Sequence, residues 1–190
     1  MNQKQLWMLV GGNGAGKSTF YELALKPLGM PFINADLIAK EVYPDDPEGK
    51  SYLAAKHAES LRTEQLLAGK SFCFETVFSH PSKVDFIAQA KALGYQIIMV
   101  VIHLDASALN KARVSQRVFD GGHSVPEEKI ENRIPRTLKN VRHAIPLCDQ
   151  VRVFDNSSLD APFEPVLTMK HGQVIAHQKP LPEWASAFLN

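Results

Sequence analysis

Short apolar runs alternate along the chain with longer stretches of mixed polarity. Leu6–Val10, Phe32–Asn34, Ser71–Glu75, Gln96–Leu104 and Val151–Phe154 read as strands. Gln96–Leu104 contains IIMVVIHL and is the most apolar of them, which predicts a central strand buried on both faces. Between these runs, Lys17–Leu25, Leu37–Val42, Ser51–Leu67, Ser82–Leu93, Ala106–Val118 and Pro126–Val141 have helical spacing. Pro27 and Gly29, Gly69 and Gly94 serve as stops, and Pro135 lies inside the last helix. The prolines, acids and glycine of Tyr43–Gly49 mark a loop. A β-α-β-α order of this kind predicts an α/β fold, a parallel sheet with helices on both faces. After Asn156 the texture changes. Val166–Ala176 reads as a hairpin around His171-Gly172, and Pro180–Asn190 as a tail anchored by Trp184 and Phe188. The expected organisation is one main domain over residues 1–160, with a hairpin and tail over 161–190 packed on it as an appendage that covers a sheet edge or the end of the core.

Composition narrows this picture only a little. The 190 residues are 45% hydrophobic, enough for one compact domain with a sizeable core. A net charge of +1 excludes a global basic field of the kind a nucleic-acid coat protein carries. No apolar run approaches the roughly 18 residues of a membrane span. Met1–Gln5 has neither the apolar core nor the cleavage site of a signal peptide. The two cysteines, Cys73 and Cys148, are expected to be free buried thiols in a reducing cytoplasm.

The candidate chemistry begins after the first strand. Gly11-Gly12-Asn13-Gly14-Ala15-Gly16-Lys17-Ser18 matches G-x-x-x-x-G-K-[ST] in full and runs through Thr19 into a helix. Glycines let several backbone N–H groups turn inward toward phosphate oxygens, and the helix adds the positive end of its dipole. Lys17 supplies an ammonium for the β- and γ-phosphates and Ser18 a hydroxyl ligand for Mg²⁺. The motif implies ATP and Mg²⁺. It leaves open whether a phosphate is transferred, hydrolysed to drive a motion, or sensed.

Two acids follow strands and so face the ligand crevice of a parallel sheet. Asp36, in Phe32-Ile33-Asn34-Ala35-Asp36, is placed either to take the proton of an attacking hydroxyl or to cap the helix after it. Glu75, at the end of Phe72-Cys73-Phe74-Glu75, suits acceptor binding, an outer contact to Mg²⁺, or simply a surface position. Ser79, His80 and Lys83 are candidate acceptor contacts. Asp105 follows the central strand as a Walker B acid would, yet Asp105-Ala106-Ser107 reads better as a helix cap.

Lys111–Arg142 carries eight basic residues against four acids, a local +4 in a chain whose total is +1. A solvated helix face is the usual meaning of such charge. Here Phe119–Ser124 is hinge-like, Ser124-Val125-Pro126-Glu127 resembles a capping box, and Arg133 and Arg136 share a helix face. A lid at about 117–140 is expected, with Arg117, Arg133 and Arg136 neutralising the transferring phosphate and excluding water.

Taken in order, GGNGAGKST, FINADLIA, FETVFSH, RVFDGGHSVPEEKIENRIPRTLKN and VRVFDNS resemble the zeta-toxin-like family of small P-loop kinases over about residues 5–157. That resemblance implies a three-layer α/β/α domain with a five-stranded parallel sheet in the order 2-3-1-4-5. It also implies transfer of the ATP γ-phosphate to a hydroxyl of a UDP-amino sugar, and an antitoxin partner. Lys17 and Ser18 would contact phosphate and Mg²⁺, Asp36 would act as general base, and Glu75 would belong to the acceptor segment. Arg117, Arg133 and Arg136 would clamp the phosphate, with Asn156 and Ser157 near the adenine. The chain departs from the pattern in having Ser79-His80 where an arginine often follows the glutamate, and in lacking evident long acceptor-binding insertions. Few aromatic residues accompany the basic stretch, which disfavours a nucleic-acid acceptor. A nucleotide-dependent switch without an acceptor is the reading that competes with a kinase.

Overall fold

The computed structural model describes residues 3–119 and 125–189. The expected hinge glycines and Ser124 of the capping box therefore lie outside the described residues. Five strands, β1 (Gln5–Val10), β2 (Phe32–Ile33), β3 (Phe72–Thr76), β4 (Gln96–His103) and β5 (Gln150–Asp155), run parallel in the order β2-β3-β1-β4-β5. Register places Leu9 beside Glu75 and Val10 beside Thr76, so β1 hands over to the phosphate loop next to the acid that ends β3.

Strand residues alternate between two buried faces. Leu6, Met8, Phe72, Phe74, Ile97 and Met99 point to one side. There they meet α3 (Ser51–Leu67), α4 (Ser82–Ala92) and α6 (Glu127–Ala144) through Ala58, Leu66, Ile87, Ala90 and Val141. Trp7, Leu9, Cys73, Ile98, Val100 and Ile102 point to the other. Phe20 and Leu25, from α1 (Lys17–Phe20) and the turns after it, cover that face, with Leu109 of α5 (Ser107–Phe119). Each such aliphatic or aromatic side chain withdrawn from water contributes about 1.5–3 kcal/mol. The result is the three-layer α/β/α architecture.

The hairpin extends the five parallel strands. Strands β6 (Glu164–Lys170) and β7 (Gln173–Ala176) continue the sheet, β6 pairing antiparallel with β5, to give seven strands. Val166 and Leu167 are fully buried, so the hairpin covers what would otherwise be an exposed edge at β5. The tail forms α7 (Glu183–Ser186), with Ala185 and Phe188 in the core. The helix expected over Lys17–Leu25 is divided: α1 passes into a π-helical turn, Tyr21–Leu25, and a 3₁₀ turn, Lys26–Leu28, ended by Gly29 in the left-handed region. Both cysteines are free, although Cys148 is only half-buried. Burial pushes the Cys148 thiol up to about 12 and raises that of Cys73 as well. Among the described residues no helix is long and apolar enough to cross a membrane.

Candidate active site

Residues 11–16 turn from β1 into α1 through backbone that favours glycine at particular positions. Gly14 and Gly16 have φ of +75° and +97°. A Cβ on Gly11 would lie 2.1 Å from the Ile102 carbonyl oxygen of β4. The buried Lys17 ammonium donates to the Gly11 and Gly12 carbonyls at 2.9 and 2.8 Å and lies 3.5 Å from Glu75. Burial lowers its pKa, while the Glu75 and Asp36 carboxylates oppose that shift.

The loop borders a cleft of about 890 Å³. Asn13, Gly14, Gly16, Lys17, Ser18 and Thr19 form one wall. Asp36 and Glu75 stand at the strand ends, and Arg113, Arg117, Lys129 and Arg133 line the basic side. Glu75 is more central than a surface acid. Its Oε2 accepts from Ser18 Oγ at 2.6 Å and from Asn34 Nδ2 at 2.7 Å. Asp36 does not cap its helix. In α2 (Ala35–Val42) the cap is Asn34, whose Oδ1 accepts from the Asp36 and Leu37 N–H groups, which frees the Asp36 carboxylate to pair with Arg117 at 3.8 Å.

Asn156 lines the cleft, but its side chain is engaged by protein. It donates to the Ala15 carbonyl and accepts from the Phe163 N–H, so it braces the loop from β5's end. Ser157 instead accepts from the Asp105 N–H, and α5 begins at Ser107. Of the hydrogen bonds among described residues, none joins the Asp105 carboxylate to α5. Arg133 reaches Asn13 Oδ1 at 3.3 Å.

Four expected contacts fall outside the cleft wall. Arg136 is exposed on α6 and does not line the cleft; it shares the face of Lys129 and Arg133 but lies one turn further along the helix than Arg133. The exposed His80 ring accepts from the Ser82 N–H and so ties up the start of α4, and Ser79 is half-buried beside it. Lys83 is also absent from the wall; burial and the neighbouring Arg62 lower its pKa. Conversely, the cleft includes residues not singled out from the sequence. Asn34, Arg113, Lys129, Tyr52 and Phe163 all line it. For Asn34 a signal existed in the Asn-x-Asp spacing at a helix start.

A parallel sheet in this order, a phosphate loop after its first strand and a basic two-helix wall opposite two acids define a P-loop kinase-like domain. A family described as the AAA domain matches residues 6–136, and the chain belongs to that family. It is similar to an uncharacterized protein of Haemophilus influenzae, 27% identical over 140 residues, which are 70% of this chain and 99% of that one. A dephospho-CoA kinase of Staphylococcus haemolyticus is 33% identical over 75 residues, 40% of this chain and 37% of that enzyme. Among solved structures, a chain of the AvrRxo1-ORF1:-ORF2 complex with ATP superposes with a TM-score of 0.71 at 19% identity, over 92% of this chain and 61% of that one. The PezAT chromosomal toxin–antitoxin system of Streptococcus pneumoniae gives a TM-score of 0.67 at 15% identity, over 100% of this chain and 86% of that one. This chain thus spans less than two thirds of the AvrRxo1-ORF1:-ORF2 chain. The fold is the one expected of zeta-toxin-like P-loop kinases.

Proposed function

We propose that the protein is an ATP-dependent phosphotransferase acting on an acceptor hydroxyl. The observation that carries this reading is the shared cleft: Lys17 and Ser18 of the phosphate loop, Asp36, and Arg117 paired to Asp36 at 3.8 Å. Lys17 and the loop N–H groups hold the β- and γ-phosphates. Asp36 takes the proton of the acceptor hydroxyl as its oxygen bonds to the γ-phosphorus, and the bond to the bridging oxygen of ADP breaks. Arg117 and Arg133 offset the charge on the moving phosphoryl group. Arg136 belongs to this set only if the lid rotates it inward. The work is mostly positioning and electrostatics.

The donor set suits Mg²⁺. Ser18 Oγ and the Glu75 carboxylate are adjacent hard oxygens. Among the described residues no group of three or more His, Cys, Asp or Glu forms a metal cage, which fits an ion that takes its other ligands from phosphate and water. Bound with ATP, it would supply positive charge that offsets that of the phosphates. A UDP-amino sugar is the acceptor that the family resemblance favours, and the toxin–antitoxin pairing of the PezAT neighbour supports an antitoxin as partner.

The test is ADP release from Mg²⁺·ATP with a panel of UDP-N-acetylglucosamine, free sugars, nucleosides and a 5′-hydroxyl oligonucleotide. One acceptor should stimulate release. Asp36→Asn should lower that rate roughly 10²–10⁴-fold while ATP still binds. Lys17→Ala should abolish it. Acceptor-independent release that Asp36→Asn leaves untouched would favour a nucleotide switch instead.

A further inference from the structure

Asn34 touches both halves of the cleft with one side chain. It is 6% exposed, between the two-residue strand β2 and α2. Its Oδ1 accepts from the Asp36 N–H at 2.7 Å and the Leu37 N–H at 3.1 Å. Its Nδ2 donates to Glu75 Oε2 at 2.7 Å. The same oxygen accepts from Ser18 Oγ, and Glu75 Oε1 faces Lys17. The amide orientation is fixed by its partners, since two N–H groups demand the oxygen and a carboxylate demands the nitrogen.

α2 packs on α3, with Ala39 buried and Ala35 and Ile38 partly buried against the core, while Asp36 is exposed in its first turn. Its polar tie to β3 is the hydrogen bond from Asn34 to Glu75. Few residue types could replace it. Aspartate caps a helix but cannot donate to a carboxylate. Serine caps, but its hydroxyl lies too close to the backbone to reach across to β3 as well.

We propose that Asn34 is a positioning residue that fixes the acceptor carboxylate Asp36 relative to the nucleotide loop, through Glu75 and Ser18. This rests on the kinase reading above. Through this chain of contacts the acceptor acid and the Ser18 hydroxyl keep a constant separation even though they belong to different elements. The charged groups around the chain are Lys17, Glu75, Asp36 and Arg117, with Arg113, Lys129 and Arg133 across the cleft.

Two measurements on the full chain test it. The first is steady-state kinetics of Asn34→Ser, which keeps the cap and loses the contact to Glu75. It should fold, keep the wild-type ATP dissociation constant, and lose kcat roughly 10–100-fold, the usual effect of removing an outer-shell orienting group. Wild-type kcat in this variant would overturn the proposal. The second is a nucleotide-free unfolding cycle of Asn34→Asp, Glu75→Gln and the double variant. Asn34→Asp sets two carboxylates face to face and should lower the unfolding midpoint. Adding Glu75→Gln exchanges amide and carboxylate, restores the donor–acceptor match, and should return the midpoint to that of Glu75→Gln alone. Additive losses would overturn the tie. If the wild type shows no acceptor-dependent turnover, the kinase reading fails, and the unfolding cycle still decides whether Asn34 and Glu75 are coupled.

Discussion

Gly16 shows how tightly single residues are constrained here. It lies at φ +97°, and a Cβ on it would come within 2.5 Å of Asn156 Nδ2. That nitrogen is the group that braces the loop through the Ala15 carbonyl. Gly16→Ala thus combines a left-handed backbone with displacement of the brace. The conformational part alone costs roughly 1–3 kcal/mol, and ATP affinity should fall with it because the N–H groups of the loop lose their common direction. Denaturant unfolding and nucleotide titration of the variant check both expectations. An affinity equal to wild type would mean that Asn156 does not set the loop's shape. Lys17 follows the same logic of local constraint. It is buried before any phosphate arrives, held by two carbonyls and facing Glu75, so its charge is already aimed.

At the scale of elements, the two halves of α6 are held by different partners. Thr137 Oγ1 donates to the Val77 carbonyl at 2.7 Å, and Asn140 Nδ2 to the Phe78 carbonyl at 2.9 Å, fixing the C-terminal half to the segment after β3. The N-terminal half carries Lys129 and Arg133 over the cleft, and Glu127 and Glu131 pair with Lys111 of α5. Pro135, which cannot donate a helical hydrogen bond, lies where the two halves meet. Thr137→Val should leave the Val77 carbonyl without this donor and cost about 1–3 kcal/mol, measurable by denaturant unfolding. It should also lower kcat, because the pivot of the basic wall loosens. Elements like α6 and β4 were legible in the sequence because helical spacing and a continuous apolar run are local signals. The phosphate loop was legible because its motif is contiguous. Asn34 and Glu75 are 41 residues apart, and the pairing that gives both their meaning exists only once β2 and β3 lie side by side. His80 illustrates the opposite error: proximity to Glu75 in sequence suggested an acceptor contact, whereas the backbone after β3 carries it to the start of α4. The hairpin was visible as a hairpin, but which edge it covers depends on β5 having no other partner.

Across the whole molecule, the end of the chain returns to the centre of the sheet. Trp184 of α7 packs on the ring of His103, the last residue of β4, with centroids 4.4 Å apart. His103 is 8% exposed, and burial lowers its pKa although Asp155 and Asp105 act in the other direction. The folded protein therefore prefers the neutral ring. Its contribution is complete above the unfolded value of about 6.5 and is lost as pH falls through the lower folded value, where the unfolded chain binds the extra proton. Asp149 has a lowered pKa in spite of burial, through the Lys91 ammonium and the Ile97 N–H, so its contribution is lost in a lower, separate window. Thermal unfolding measured between pH 8 and pH 5 should show a falling midpoint in the wild type and a shallower fall in His103→Phe, which keeps a ring against Trp184 but cannot titrate. Equal slopes would mean that the acid sensitivity arises elsewhere. Tryptophan emission of a Trp7→Phe variant, which leaves Trp184 as its one indole, adds a local reading, because a charged imidazole against the indole quenches it. If the His103–Trp184 contact yields first, emission should change at a higher pH than the global midpoint does. The C-terminal segment would then be the first part of the fold to detach, ahead of the parallel strands that carry the cleft.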